Sequence, residues 1–203
     1  MRIFVAGGSG AVGTRLVPQL SRRGHHVIGT TRSPDKVARL RDLGAEPVVL
    51  DLLDPVAVRG AVASARPDAI VHEATVLSGQ SDIRNFDASF AATNRLRTDG
   101  TDTLVAAARE SDVGVFVAQS FAGWPYAREG GPVKTEEDPL DPTPVQAMRE
   151  TLAAIRHLEQ ATIAAGGAAL RYGGLYGSLD DVQLELVRKR RFPVVGDGGG
   201  IWS

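Results

Sequence analysis

Short runs of β-branched and aliphatic residues alternate along the chain with stretches whose apolar positions recur every three or four residues. Arg2–Ala6 predicts a first strand, and Leu16, Val17 and Leu20 stand at the spacing of a helix core face. His26–Thr30 predicts strand two. Val37, Leu40 and Leu43 mark a short helix opened by Ser33-Pro34-Asp35. Pro47–Asp51 predicts strand three, and Val56, Val58 and Val62 mark the core side of another helix. Ala69–His72 is strand four; a long helix carrying Leu104, Val105 and Ala108 then leads to strand five at Val113–Ala118. Residues 123–143 are rich in Pro, Gly and acids and read as an irregular excursion. A helix over Met148–Ala164 and strand six at Ala168–Arg171 complete the pattern. Strands alternating with helices imply an α/β fold: a doubly wound parallel sheet with helices on both faces.

Glycines fall where such a sheet needs them. Gly7, Gly10 and Gly13 follow the first strand at once and open the first helix. That placement permits a tight turn, a close approach of backbone to a pyrophosphate, and close packing of helix on strand. The first helical turn, at Ala11 and Val12, then points its N–H groups and the positive end of its dipole at phosphates. The sheet is therefore Rossmann-type and its expected ligand a dinucleotide. Ligands in these sheets lie beyond the carboxyl ends of the strands. After strand two, where NAD-selective folds put an acid on the ribose, this chain has Thr31-Arg32-Ser33. A guanidinium suits a 2′-phosphate, which argues for NADP; the alternative is a solvated arginine. Asp51-Leu52 follows strand three, Glu73-Ala74-Thr75 strand four, and Gln119-Ser120 strand five.

Composition narrows the function classes. The formal net charge of -1 gives no footprint for nucleic acid or an anionic membrane. There is no cysteine, so thiolate chemistry and disulfides are excluded. No apolar run approaches the roughly 20 residues of a membrane span. The first strand begins at the second residue, leaving no room for a signal peptide, and a cytoplasmic setting is the expectation. His25-His26, His72 and His157 share no metal-ligand spacing, so no metal site is expected: His72 packs at the sheet end and His157 stands alone on a helix. The runs Arg188–Arg191 and Glu136–Asp138 read as solvated surface.

The glycine spacing, Asp51-Leu52, the segment Phe116–Ser120 and the run Leu170-Arg171-Tyr172-Gly173-Gly174-Leu175-Tyr176-Gly177 together resemble the short-chain dehydrogenase/reductase superfamily, nearest its extended, NAD-dependent epimerase/dehydratase-like branch. The resemblance implies that Asp51 and Leu52 meet the adenine, that Tyr172, Gly173 and Leu175 edge the nicotinamide, and that Ser120 takes the catalytic serine position. Glu73 stands where the branch usually has a small apolar residue; it either edges the cofactor with Ala74 or is a solvated carboxylate. The departures lie in the proton machinery. The stretch matching the family's Tyr-x-x-x-Lys is Val145-Gln146-Ala147-Met148-Arg149, and the family asparagine aligns with Arg97, with Asn94 one turn earlier. Valine carries no proton, and Arg149 can hold a ribose hydroxyl but cannot act as a proton carrier. The proton of a reduction then comes from Ser120 through a water, from Tyr126 in the Gly123–Tyr126 segment, or from an acidic phenol or enol of the substrate. Trp124 and Tyr126 alternatively stack on a flat substrate or simply bury their loop.

The sequence thus predicts a dinucleotide domain over residues 1–177. Residues 178–203 begin a small C-terminal substrate region that the extended branch carries much further. The expected activity is an NADP(H)-dependent, ketoreductase-like oxidoreductase acting on a small organic molecule, such as a natural-product intermediate, by a route that bypasses tyrosine. A nucleotide-sugar epimerase/dehydratase and a catalytically silent NADP-binding sensor are the alternatives. A homodimer is compatible with all three.

Overall fold

The computed structural model describes residues 1–77, 86–131, 133–175, 185 and 187–191. The chain forms two compact units. One gathers Met1–Ser120 with Pro144–Leu170, and the other Phe121–Thr143 with the described residues from Arg171 onward.

A six-stranded sheet dominates, in the order β3-β2-β1-β4-β5-β6. Its strands are β1 Arg2–Ala6, β2 His26–Thr31, β3 Ala45–Val49, β4 Ala69–His72, β5 Val115–Phe121 and β6 Ala168–Tyr172. The pairs β1–β2, β1–β4, β2–β3 and β4–β5 are all parallel. The expected fold class holds. The helices are α1 Gly13–Arg22, α2 Val37–Asp42, α3 Pro55–Ala65, α4 Phe86–Arg95, α5 Thr101–Glu110 and α6 Arg149–Ala164.

Strand alternation explains the two cores. Phe4, Ala6, Ile28 and Ile70 point to one face and bury Val58 and Val62 of α3, Leu104 of α5 and Leu158 of α6. Ile3, Val5, Val27 and Ala69 point to the other and bury Val17 of α1. Helix α3 shows how local chemistry fixes an element: the Asp54 carboxylate accepts from the N–H groups of Val56 and Ala57, and Pro55 opens the first turn.

The structure departs from the sequence reading at several points. Strand three starts at Ala45 and ends at Val49, earlier than Pro47–Asp51; it is an edge strand, where Pro47 costs no ladder bond. Val56 is exposed rather than core, since the core face of α3 is set by Val58 and Val62. Strand five runs on through Gln119 and Ser120, so Ser120 lies within the strand and not after it. The long helix is broken: a π-helical turn, Leu96–Gly100, separates α4 from α5. Such turns recur at functional sites.

Candidate dinucleotide cleft and the strand-five site

The cleft forms at the carboxyl ends of β1, β2 and β4. It is lined by Gly7, Ser9, Gly10, the segment Thr30–Ser33, Lys36, Leu50, Leu52, the segment Glu73–Thr75, and Leu96. Gly7 has φ +88°, and a Cβ there would stand 2.7 Å from Ala74 Cα. At Gly13 a Cβ would lie 2.5 Å from the Gly7 carbonyl oxygen, so only glycine lets α1 begin against the loop. Around Gly10, by contrast, a Cβ would meet only the Gly7 oxygen at 3.2 Å, leaving that backbone open toward the cleft. No side chain caps α1 and no acid sits in its first turn. The open backbone and uncapped helix start fit a pyrophosphate, and the residues present fit a dinucleotide.

Hydroxyls tie the cradle to β2. Thr30 Oγ1 accepts from Gly7 N–H at 3.1 Å, Ser9 Oγ donates to Thr31 Oγ1 at 2.9 Å, and Thr31 Oγ1 accepts from Ser33 N–H at 3.1 Å. Arg32 is exposed at this edge with Lys36 beside it in the lining. Lys36 escapes the sequence reading, as do Ser9, Thr30, Leu50 and Leu96; a second cation just past the Ser33-Pro34-Asp35 helix start was the available signal. Glu73 is 5% exposed, so the solvated alternative for it is corrected: the carboxylate is buried in the cleft wall with Ala74. Ala11, Val12 and Gly13 stand behind the loop where α1 starts. Leu52 lines the cleft, while Asp51 is exposed outside the lining and its Oδ1 accepts from Leu53 N–H at 3.0 Å.

His72, at the end of β4, is buried. Its Nε2 bonds the Leu96 carbonyl at 3.2 Å, and its Nδ1 accepts from Ala74 N–H at 3.4 Å. Burial lowers its pKa to about 4, helped by the Arg97 charge and opposed by the Leu96 carbonyl. It therefore packs neutral at the sheet end. Arg97, in the π turn, is 7% exposed, and desolvation lowers its pKa to about 10. His157 is not alone: it pairs with Asp102 at 2.8 Å, because α5 and α6 lie side by side. No group of three or more metal-ligating side chains occurs among the described residues.

The strand-five region carries the altered motif. Ser120 is 2% exposed and donates to Glu159 Oε1 of α6 at 2.5 Å. Glu159 is buried, and sequence reasoning missed it; an acid on the apolar side of α6, beside Leu158 and Thr162, was the signal. Val145 is 60% exposed just before α6. Arg149 is exposed and its Nε donates to the Pro144 carbonyl at 3.4 Å. The start of α6 is capped from α4: Asp87 accepts from the N–H groups of Glu150 and Thr151 and from Thr151 Oγ1 at 2.6 Å. Asn94 Nδ2 donates to the same Thr151 hydroxyl at 3.0 Å.

In the second unit Tyr126 is buried, with the Arg171 guanidinium 5.1 Å from its ring centre, and Trp124 packs near Phe121. Tyr126 also bridges to Leu140. Tyr172 accepts the Ala122 N–H on its carbonyl, Gly173 is half-buried, and Leu175 is exposed. Tyr176 and Gly177, with most of 178–203, lie outside the described residues. Arg188 and Lys189 of the basic run are exposed and paired with Glu185. No helix among the described residues is long and apolar enough to cross a membrane.

Similarity to known proteins agrees with this geometry. A 3-diazoavenalumate denitrifying reductase of a Streptomyces species is 39% identical over 211 residues, a match covering 100% of this chain and 67% of the relative. The 4-hydroxy-2-methyl-3-oxo-4-farnesyl-3,4-dihydroquinoline-1-oxide ketoreductase of Stigmatella aurantiaca is 30% identical over 98% of this chain and 58% of its own length. Thus the chain spans only part of the curated relatives it matches. Among solved structures, the UDP-glucose 4-epimerase of Thermus thermophilus in complex with NAD superposes with a TM-score of 0.69 at 24% identity, covering 98% of this chain and 60% of the other. That likeness speaks for the fold. The NAD dependent epimerase/dehydratase family pattern matches residues 3–190, and the chain belongs to that family.

Proposed function

We propose that the protein is an NADP(H)-dependent reductase whose substrate is reduced without a proton from a protein tyrosine. The observation that carries this reading is the state of the strand-five site. Val145 and Arg149 stand where the family's proton pair belongs, both exposed, and the Ser120 hydroxyl already donates to Glu159. A serine so engaged offers a substrate its lone pairs rather than its proton. A reduced nicotinamide supplies a hydride. What distinguishes candidate substrates is whether a proton must accompany it.

Ketone reduction consumes one proton for each hydride, so an unassisted ketone is a poor match for this site. Replacing a diazonium group consumes none. The hydride from a bound reduced nicotinamide would form the new C–H bond, and dinitrogen would leave with the C–N electron pair, a balance that needs no added proton. The naming of the Streptomyces relative as a denitrifying reductase supports such a substrate for this chain. A ketone whose own phenol or enol provides the proton is the second reading, favoured by the Stigmatella ketoreductase.

NADP rather than NAD is supported by Arg32 and Lys36 beside Thr31 and Ser33, with no acid at the end of β2. Gly7, Gly10, Ala11, Val12 and Gly13 hold the pyrophosphate, with Leu52, Glu73 and Ala74 along the wall. In the same reading Ser120 and Arg149 orient substrate and ribose, and Tyr172, Gly173 and Leu175 edge the nicotinamide. Tyr126, buried within the second unit, takes no part in proton transfer in this reading. Residues 1–177 bind the dinucleotide, and 178–203 open the substrate region.

The test is NADPH consumption with an aryl diazonium salt, a phenolic polycyclic ketone and a non-phenolic ketone, each against an enzyme-free control. Dinitrogen release or phenol-dependent ketone reduction is the expected result. Equal turnover of the non-phenolic ketone contradicts the proposal, and NADPH binding without any turnover favours a sensor.

A further inference from the structure

A buried charge without a counter-charge needs an explanation. Arg97 is 7% exposed, its Nη1 is sealed from solvent, and no acceptor among the described residues bonds it. It forms no ion pair among the described residues, where exposed arginines such as Arg59 and Arg95 do. Three residues earlier the Asn94 Oδ1 is likewise buried with no donor, although its Nδ2 is held by Thr151. An unpaired donor cation and an unpaired acceptor thus lie close together along one helical stretch. Leaving both unsatisfied costs stability, and a bound ligand would complete the set.

The location agrees. Arg97 follows Leu96, which lines the dinucleotide cleft, and its charge is felt at His72, the residue before cleft-lining Glu73. The π turn that carries it distorts the helix at this point. His72 is held neutral by burial and engaged on both nitrogens, so it adds no second positive charge. One isolated guanidinium, with its planar fork, matches a planar monoanion better than a phosphate dianion.

We infer that Arg97 is a specificity residue that anchors a single carboxylate of the substrate, with the Asn94 Oδ1 accepting from a neighbouring hydroxyl or water. This deepens the reductase reading and rests on it for the identity of the ligand as substrate. The arginine acts as an anchor and takes no part in hydride or proton transfer.

The experiment compares wild type, Arg97→Met and Arg97→Lys, using benzoate, benzamide and UDP as probes in thermal-shift and calorimetric titrations. Benzoate is expected to bind wild type, benzamide not to, and Arg97→Met to lose at least about tenfold in benzoate affinity while its Tm holds or rises. A purely structural arginine predicts the opposite: a lower Tm in Arg97→Met and no charge-selective binding to wild type. Benzoate binding that is absent from wild type or equal in Arg97→Met overturns the inference, and Arg97-dependent binding of UDP in preference to benzoate overturns the carboxylate assignment. If Arg97→Met does not fold, Arg97→Lys decides: weakened benzoate binding supports the anchor, unchanged binding removes it. NADPH consumption by wild type with an aryl diazonium salt and with a phenolic polycyclic ketone is followed in parallel. Its absence beside Arg97-dependent benzoate binding defeats the reductase reading and leaves the anchor standing.

Discussion

At the carboxyl ends of β1 and β2, the hydroxyls of Ser9, Thr30 and Thr31 are bonded into the glycine loop proposed to hold the dinucleotide. At the ends of β4 and β5 the arrangement is different. There Arg97 and Asn94 carry buried atoms without partners, and Ser120 is tied to a buried carboxylate. Both regions belong to one compact unit and one sheet. The first carries the glycine spacing that the superfamily resemblance implies, whereas the second departs from the proton machinery that the same resemblance leads one to expect. On the proposed reading, holding a dinucleotide and moving a proton are separable properties of this fold, and this chain keeps the first while altering the second.

The largest break in that contrast should come from the cradle. Gly13→Ala places a methyl 2.5 Å from the Gly7 oxygen and 2.6 Å from Gly8 Cα, so backbone has to move. We expect loss of NADPH binding by at least about a hundredfold, read by fluorescence titration, since a misplaced cradle loses several phosphate bonds together. Unchanged affinity would mean that the loop is not the site.

Next comes acid. The folded pKa of His72 is about 4, below its unfolded value near 6.5. Between these values the unfolded chain binds the extra proton, so stability is complete above about pH 6.5 and falls as the pH drops toward 4. The difference amounts to about 3 kcal/mol. Denaturant melts from neutral pH to pH 4 should show this slope, and His72→Gln should flatten it.

Smaller again is the cofactor preference. Removing both cations in Arg32→Ala/Lys36→Ala should weaken NADPH about 10- to 100-fold and leave NADH nearly unchanged, because each charged bond to the 2′-phosphate contributes about 1.5–3 kcal/mol when intact and the exposed edge is screened. Parallel losses for both cofactors would put the cations elsewhere than on a 2′-phosphate. The smallest effect belongs to Ser120→Ala, which leaves the buried Glu159 one donor short and should cost about 1–3 kcal/mol in a chemical melt with NADPH affinity intact.

Much of the cradle is legible in the sequence because strands and glycine turns are local features. Gly7, Gly10 and Gly13 are spaced by backbone geometry, and Arg32 follows β2 directly, so position along the chain is position in the cleft. Lys36 stands one turn beyond that reach. The strand-five site is harder to read because its contacts are long-range. Ser120 meets Glu159 across 39 residues, and Asp87 caps α6 across 63. Neither spacing leaves a local signature. The π turn is hidden for another reason: Leu96–Gly100 continues an acceptable helical pattern, and only packing of α4, α5 and α6 around it exposes the extra residue. His157 reads as solitary in the sequence because helix periodicity says nothing about Asp102, which stands on a neighbouring helix.

On the proposed reading, hydride leaves the cleft without a proton from the protein. Single-turnover NADPH consumption with an aryl diazonium salt, measured in H2O and in D2O across the neutral range, tests it most directly. The rate should be independent of pH and of solvent deuterium and slowed only when the transferring hydrogen of NADPH is deuterium, with that deuterium recovered in the product. A rate that falls with rising pH and slows in D2O would contradict it, and would return a protein acid to the mechanism.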